Sequence, residues 1–284
     1  MIQVIQTSLE LETIRSSQST SIGFVPTMGN LHEGHLSLLE KALVENEIIY
    51  FSIFVNPKQF GPNEDFNRYP RTFEADLEKI KAVALKHPDK QVFVFHPSNP
   101  SEVFPTSESL KIEVTPLNND LEGVIRPGHF DGVATVVYKL FRLMKPNTSY
   151  FGLKDFQQYL VIKKMVSDLQ MGIKIIGMPI KRDHDGLALS SRNQYLSADE
   201  RKAALILSKT LQELQKIING HSKNIEKANA YINDVTKDTN WNYLELRDAT
   251  TFSKDISHSN HITILAVYQF GKTRLLDNIQ LEIE

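Results

Sequence analysis

Two histidines three residues apart, His32 and His35, follow a glycine-containing turn in the run Pro26-Thr27-Met28-Gly29-Asn30-Leu31-His32-Glu33-Gly34-His35. Imidazole N–H groups at that spacing share one side of a chain entering a helix, where they can meet the oxygens of a polyphosphate. Downstream, Phe151-Gly152-Leu153-Lys154-Asp155-Phe156-Gln157-Gln158 sets a lysine at a second turn. Further on, Asp185-Gly186-Leu187-Ala188-Leu189-Ser190-Ser191-Arg192-Asn193 strings hydroxyls and a guanidinium together. These donate well to phosphate oxygens, the guanidinium through a fork. A histidine pair alone is more often incidental, and each other run alone reads as a surface loop. In this order, the three describe one nucleotide site.

The elements that must hold these residues are legible around them. Ser21-Ile22-Gly23-Phe24-Val25 has the apolar character of a short buried strand, and Leu36 to Val44 has the apolar spacing of a helix. Strands are predicted over residues 22–26, 48–55, 91–95, 149–151 and 174–177, with helices over 34–46, 73–86, 130–144 and 156–170. Their alternation predicts an α/β fold, a Rossmann-like parallel sheet covered on both faces. Right-handed crossovers then gather the loops after the strands at one edge, where such folds bind ligands. His35, Gln59 and Lys154 all follow strands. Neither the dinucleotide GxGxxG pattern nor a Walker lysine is present. From Ser197-Ala198-Asp199-Glu200, which has the form of a capping box, a long amphipathic helix runs to about Asn219, with Gly220 as its stop. A second helix over 225–235 and strands over 243–247, 261–270 and 273–276 complete a smaller C-terminal α+β domain. The expected division is 1–185 and 186–284, within a hinge region spanning 177–196.

Composition narrows the function classes. The chain has 284 residues, 41% hydrophobic and 23% charged, ordinary for a globular protein. A net charge of −2 without a basic run argues against nucleic acid. With no cysteine, thiolate catalysis, disulfides and cysteine-based zinc sites are excluded together. No leader or membrane-spanning run is visible, so the expected compartment is the cytoplasm.

With Phe54-Val55-Asn56-Pro57-Lys58-Gln59-Phe60 and Arg126-Pro127-Gly128-His129-Phe130-Asp131-Gly132-Val133, the chain resembles the pantothenate synthetase (pantoate–β-alanine ligase) family. The likeness runs from about Gly23 to Asn193, and Leu275-Leu276-Asp277-Asn278 is also similar. It implies the nucleotidyltransferase branch that class I aminoacyl-tRNA synthetases share. The implied reaction is ATP-dependent condensation of pantoate with β-alanine through a pantoyl adenylate, giving pantothenate, AMP and pyrophosphate. It further implies a homodimer. His35, His32 and Lys154 are the implied catalytic residues. The implied ATP contacts are Met28, Gly29, Asn30, Leu31, His32, Glu33, Gly34, His35, Gly152, Leu153, Lys154, Asp155, Lys181, Leu189, Ser190, Ser191 and Arg192. Of these, Ser190, Ser191 and Arg192 fall to the β- and γ-phosphates, and Asp155 and Gly152 to the ribose. Gln59 and Gln158 are the implied substrate contacts, neutral groups that leave a pantoate carboxylate nucleophilic. Magnesium is implied with ATP, and Asp76 aligns with an acidic segment that assists it in relatives. Two departures stand out: Ala75 and Lys79 occupy that helix face, and Lys181 replaces an aliphatic residue near adenine.

Alternatives stay open at this stage. Arg126 and His129 either build a wall around the turn at Pro127 and Gly128 or meet phosphate or β-alanine directly. Asp155 serves equally as a helix N-cap. Residues 61–71, polar and turn-rich, read as a lid over pantoate or as a surface loop. A nucleotidylyltransferase that stops at a phosphate ester would share the histidines, and a non-catalytic nucleotide sensor is a third reading.

Overall fold

The computed structural model describes residues 2–18, 20–62, 64–105, 109–219 and 224–283. Gly220, the expected helix stop, and Asn63, within the polar 61–71 loop, lie outside them. The chain divides into two compact units, Met1–Pro179 and Ile180–Glu284. The division comes a few residues before the expected 185, because residues 181–189 are tied into the second unit. There Leu189 N–H donates to the Lys181 carbonyl at 2.9 Å, and Arg182 forks onto Asp277 at 2.6 and 2.9 Å.

The first unit alternates strand and helix: β1 (Ile2–Ile5), α1 (Ser8–Ser16), β2 (Ile22–Thr27), α2 (Glu33–Glu45), β3 (Ile48–Ile53), α3 (Phe73–Ala84) and β4 (Gln91–Phe95). The short α4 (Glu122–Ile125), α5 (His129–Met144), β5 (Thr148–Gly152), α6 (Phe156–Asp168) and β6 (Lys174–Met178) follow. Its six strands pair in parallel in the order β1-β4-β3-β2-β5-β6. The expected α/β class is the one observed. β3, Ile-Ile-Tyr-Phe-Ser-Ile, is buried at every position, the pattern of a strand covered on both faces. β1 and α1 are additional to the elements expected from sequence; Thr7 caps α1 by accepting from Glu10 N–H at 3.2 Å, and β1 is held by its pairing with β4.

Chain order reverses at the centre of this sheet, where β2 lies between β3 and β5. Such a switch point opens a crevice beyond the carboxyl ends of the two diverging strands. β2 leads to His32 and His35 through that edge, and β5 leads to Lys154. The topology thus brings the two turns together although they lie far apart in sequence.

The second unit contains α7 (Ala198–Ala203), α8 (Leu205–Asn219), α9 (Ile225–Val235) and an antiparallel sheet β7-β8-β9. The strands are β7 (Trp241–Asp248), β8 (His261–Phe270) and β9 (Thr273–Glu282). Leu207, Leu211, Leu214 and Ile218 of α8 pack with Ile264 and Ala266 of β8, one apolar stripe against one sheet face. The expected single helix from Ser197 is two. Leu207 N–H reaches back three residues to the Ala204 carbonyl, a tightened turn that separates α7 from α8.

Candidate active site

The turn after β2 is built by left-handed backbone and one carboxylate. Gly29 and Asn30 have φ of 83° and 51°, a conformation cheap for glycine and tolerated by asparagine. Asp76, fully buried on α3, accepts from Asn30 N–H at 2.8 Å, Leu31 N–H at 2.7 Å and the Thr72 hydroxyl at 3.1 Å. Lys79, one turn on, donates to the Leu31 carbonyl at 2.6 Å. The α3 residues therefore clasp the approach to the histidines.

That clasp bears on magnesium. Both Asp76 oxygens are engaged by protein donors, Ala75 has no ligating atom, and Lys79 brings positive charge. Among the described residues no group of three or more His, Cys, Asp or Glu could hold a metal ion. The face on which Asp76 was expected to assist the cation does not fit a protein-held ion. Its geometry is that of a structural clasp.

The two imidazoles have assignable protons. His32, at the N-cap of α2, accepts from Gly34 N–H through Nδ1 at 3.1 Å, and His35 Nδ1 accepts from His32 N–H at 3.3 Å. An imidazole nitrogen that accepts from a backbone N–H carries no hydrogen, so each neutral ring keeps its proton on Nε2. Burial, then the charge of Lys154, moves the His32 pKa from the ordinary 6.5 to about 4. Burial, then His32, moves that of His35 to about 3. Both are neutral donors at physiological pH, with ring centroids 4.1 Å apart. Lys154 lies close enough for its charge to act on both rings, and its ammonium is 3.5 Å from Asp155. Asp155 occupies the N-cap position of α6 without a side-chain capping bond, so the N-cap alternative for its carboxylate is not what the geometry has.

Gln59 sits in a short 3-10 turn, Pro57–Gln59, after β3. Asn56 Nδ2 donates to Gln59 Oε1 at 2.9 Å and to the Gly132 carbonyl at 3.1 Å, while its Oδ1 accepts from Lys58 N–H at 3.1 Å. Because Asn56 presents a donor, the Gln59 oxygen must face it, and the Gln59 NH2 group turns to Met28 Sδ at 3.1 Å. A donor is thereby presented beside the 28–31 turn. Asn56, of the Phe54–Phe60 motif, thus fixes the Gln59 amide, a role that its residue type and spacing alone do not signal. Of the adjacent glutamines, Gln157 is buried and holds the carbonyls of Leu117 and Asp120 at 2.8 and 2.7 Å, whereas Gln158 is half-buried on the first turn of α6.

In the second unit, the Lys181 side chain is exposed and its carbonyl accepts from Leu189 N–H at 2.9 Å. Ser190 Oγ caps the next turn by accepting from Arg192 N–H at 3.3 Å. Asn193 donates to the Ala188 carbonyl at 3.0 Å. Asp277 and Asn278 of the familiar ending are buried, and Asp277 takes the Arg182 fork.

The family model for pantoate-beta-alanine ligase matches residues 3–280. The pantothenate synthetase of Acetivibrio thermocellus is 44% identical over 288 residues, covering 99% of this chain and 100% of that protein. That of Caldicellulosiruptor saccharolyticus is 44% identical over 94% of this chain and 93% of its own. The crystal structure of pantothenate synthetase from Thermus thermophilus superposes with a TM-score of 0.86 at 38% identity, covering 98% of each chain. Pantoate-beta-alanine ligase from Francisella tularensis, solved with beta-gamma ATP and beta-alanine, gives 0.75 at 33% identity over 98% of this chain and 97% of that one. Matched from one end to the other by both sequence and fold, this chain belongs to the pantoate–β-alanine ligase family.

Proposed function

We propose that this chain condenses pantoate with β-alanine at the expense of ATP, and that its residues act as follows. A pantoate carboxylate oxygen attacks the α-phosphorus of ATP, and the bond from that phosphorus to the β-phosphate bridging oxygen breaks, releasing pyrophosphate. The β-alanine amine then attacks the acyl carbon; the C–N bond forms, the C–O bond to AMP breaks, and the nitrogen loses a proton. The observation that carries this reading is the pair of neutral, Nε2-protonated imidazoles beside Lys154 at the sheet's switch point. Preorganised N–H donors and an ammonium suit charge that grows on a departing pyrophosphate, and they need no proton transfer to act. The Gln59 amide offers a neutral donor to the hydroxyls or carboxylate of pantoate, and Gln158 is its proposed partner. A neutral pair orients the carboxylate while leaving it nucleophilic.

From the second unit, the resemblance adds Ser190, Ser191 and Arg192 as donors to the β- and γ-phosphates. Magnesium brought with ATP would offset phosphate charge, and Asp76, already engaged by protein donors, would take no direct part in holding it. The resemblance also supports a homodimer and a cytoplasmic place of work. No helix among the described residues is long and apolar enough to cross a membrane. The reading is tested by product analysis. ATP, pantoate and β-alanine together give AMP and pantothenate in equal amounts. ADP as the nucleotide product, or an adenylylated ester that persists with β-alanine present, contradicts it.

A further inference from the structure

Arg126 and His129 carry a chain of hydrogen bonds with one consistent placement of protons. The Gln59 carbonyl can only accept, so His129 Nδ1, 2.8 Å away, carries a hydrogen. Arg126 Nη1 can only donate, so His129 Nε2, 3.0 Å away, is bare and accepts. His129 is therefore the neutral Nδ1–H tautomer, the opposite of His32 and His35. Burial, followed by the Arg126 charge, lowers its pKa to about 4 and agrees with that assignment. The remaining edge of Arg126 forks onto Glu64, Nε to Oε1 and Nη2 to Oε2, both at 2.7 Å. Burial of Glu64 acts to raise its pKa, but the hydrogen bond and charge of Arg126 outweigh it and hold the carboxyl below its ordinary range.

We propose that Glu64, Arg126 and His129 form a positioning relay for Gln59. Glu64 sets the plane of the guanidinium, the guanidinium sets the tautomer and orientation of the imidazole, and the imidazole holds the Gln59 carbonyl. Two further contacts close on the same turn: the Asn56 bridge to Gly132, and the approach of α5 at Gly132 to the backbone of Lys58 and Gln59. The backbone and the amide of Gln59 are thus fixed together, and the amide donor is delivered in one direction. None of the three relay residues has to touch a substrate. Phe60 packs on Phe66 and Tyr69 with centroids 5.3 and 5.9 Å away, so the chain around Glu64 is itself anchored.

The relay's consequence for pantoate rests on the functional reading above, so its test has two arms. His129→Gln places an amide near the Nε2 position and abandons the Gln59 carbonyl, whereas His129→Asn places one near Nδ1 and can still donate to it. The expected result is a pantoate KM raised about tenfold in His129→Gln with the ATP KM within about twofold, and recovery to within about threefold in His129→Asn. An unmoved pantoate KM in His129→Gln, or equal rises for both substrates, overturns the relay. The second arm needs no substrate. Two-bond 1H–15N spectra of the wild-type chain at neutral pH show the His129 ring protonated on Nδ1 and bare on Nε2. The other tautomer or an imidazolium overturns the relay as well. A wild-type chain that ignores pantoate sinks the functional reading instead, and the spectra still decide the relay.

Discussion

Alanine in place of His35 lowers the rate of adenylate formation about 10²- to 10³-fold, the cost of removing one preorganised donor from a developing anion. His35 also has a local task, accepting from His32 N–H at the start of α2, so alanine removes a capping contact as well. His35→Asn separates the two. Its Oδ1 lies where Nδ1 was and keeps the acceptor, but nothing replaces Nε2–H. Both variants lose rate to a similar extent, and only alanine also loses about 0.5–2 kcal/mol of stability. Because the acting form is neutral, with pKa moved from 6.5 to about 3, His35 adds no limb to the kcat profile between about pH 6 and 8. Stopped-flow or quench measurement of AMP transfer checks the rate, and thermal unfolding checks the cap. A rate loss under about threefold removes His35 from the catalytic set.

Gly132→Ala is expected to disable pantoate use from a position that bears no functional group. A β-carbon there falls 2.5 Å from the Lys58 carbonyl carbon and 2.7 Å from Gln59 Cα, and it overlaps the Lys58 carbonyl oxygen. The obstructing atoms are backbone on both sides, so α5 or the Gln59 turn must move. Overpacking of this kind costs about 1–3 kcal/mol. A displacement of about 1 Å at a substrate-orienting group lowers turnover about 10²-fold. The expected variant is folded, with a lowered melting temperature and kcat/KM for pantoate reduced by about that factor. Wild-type melting together with wild-type pantoate kinetics contradicts the close approach.

Local pattern carried much of this molecule, and pairing across the chain carried the rest. β3 and α2 were legible because their apolar residues recur with strand and helix character, and the glycines and histidines between β2 and α2 announce a turn with donors. What Asp76 does was not legible. Its partners, Asn30 and Leu31, lie 46 and 45 residues away, and no spacing near Asp76 distinguishes a metal ligand from a backbone clasp. Arg126 and His129 stood open between wall and contact for the same reason, since Glu64 and the Gln59 carbonyl are 62 and 70 residues distant. The tautomers of the three imidazoles follow only from which backbone group each nitrogen faces. α1 and β1 illustrate a different loss. A four-residue edge strand carries too few alternations to stand out, and its pairing with β4 supplies what the short pattern lacks.

The central claim is that this site activates pantoate by transferring AMP to it before the amine arrives. Pantoate-dependent exchange of labelled pyrophosphate into ATP, with magnesium present and β-alanine left out, tests it most directly. The account predicts exchange that requires pantoate and is lost in His35→Ala. Exchange without pantoate, or none with pantoate although AMP forms once β-alanine is added, contradicts a free-standing adenylate step.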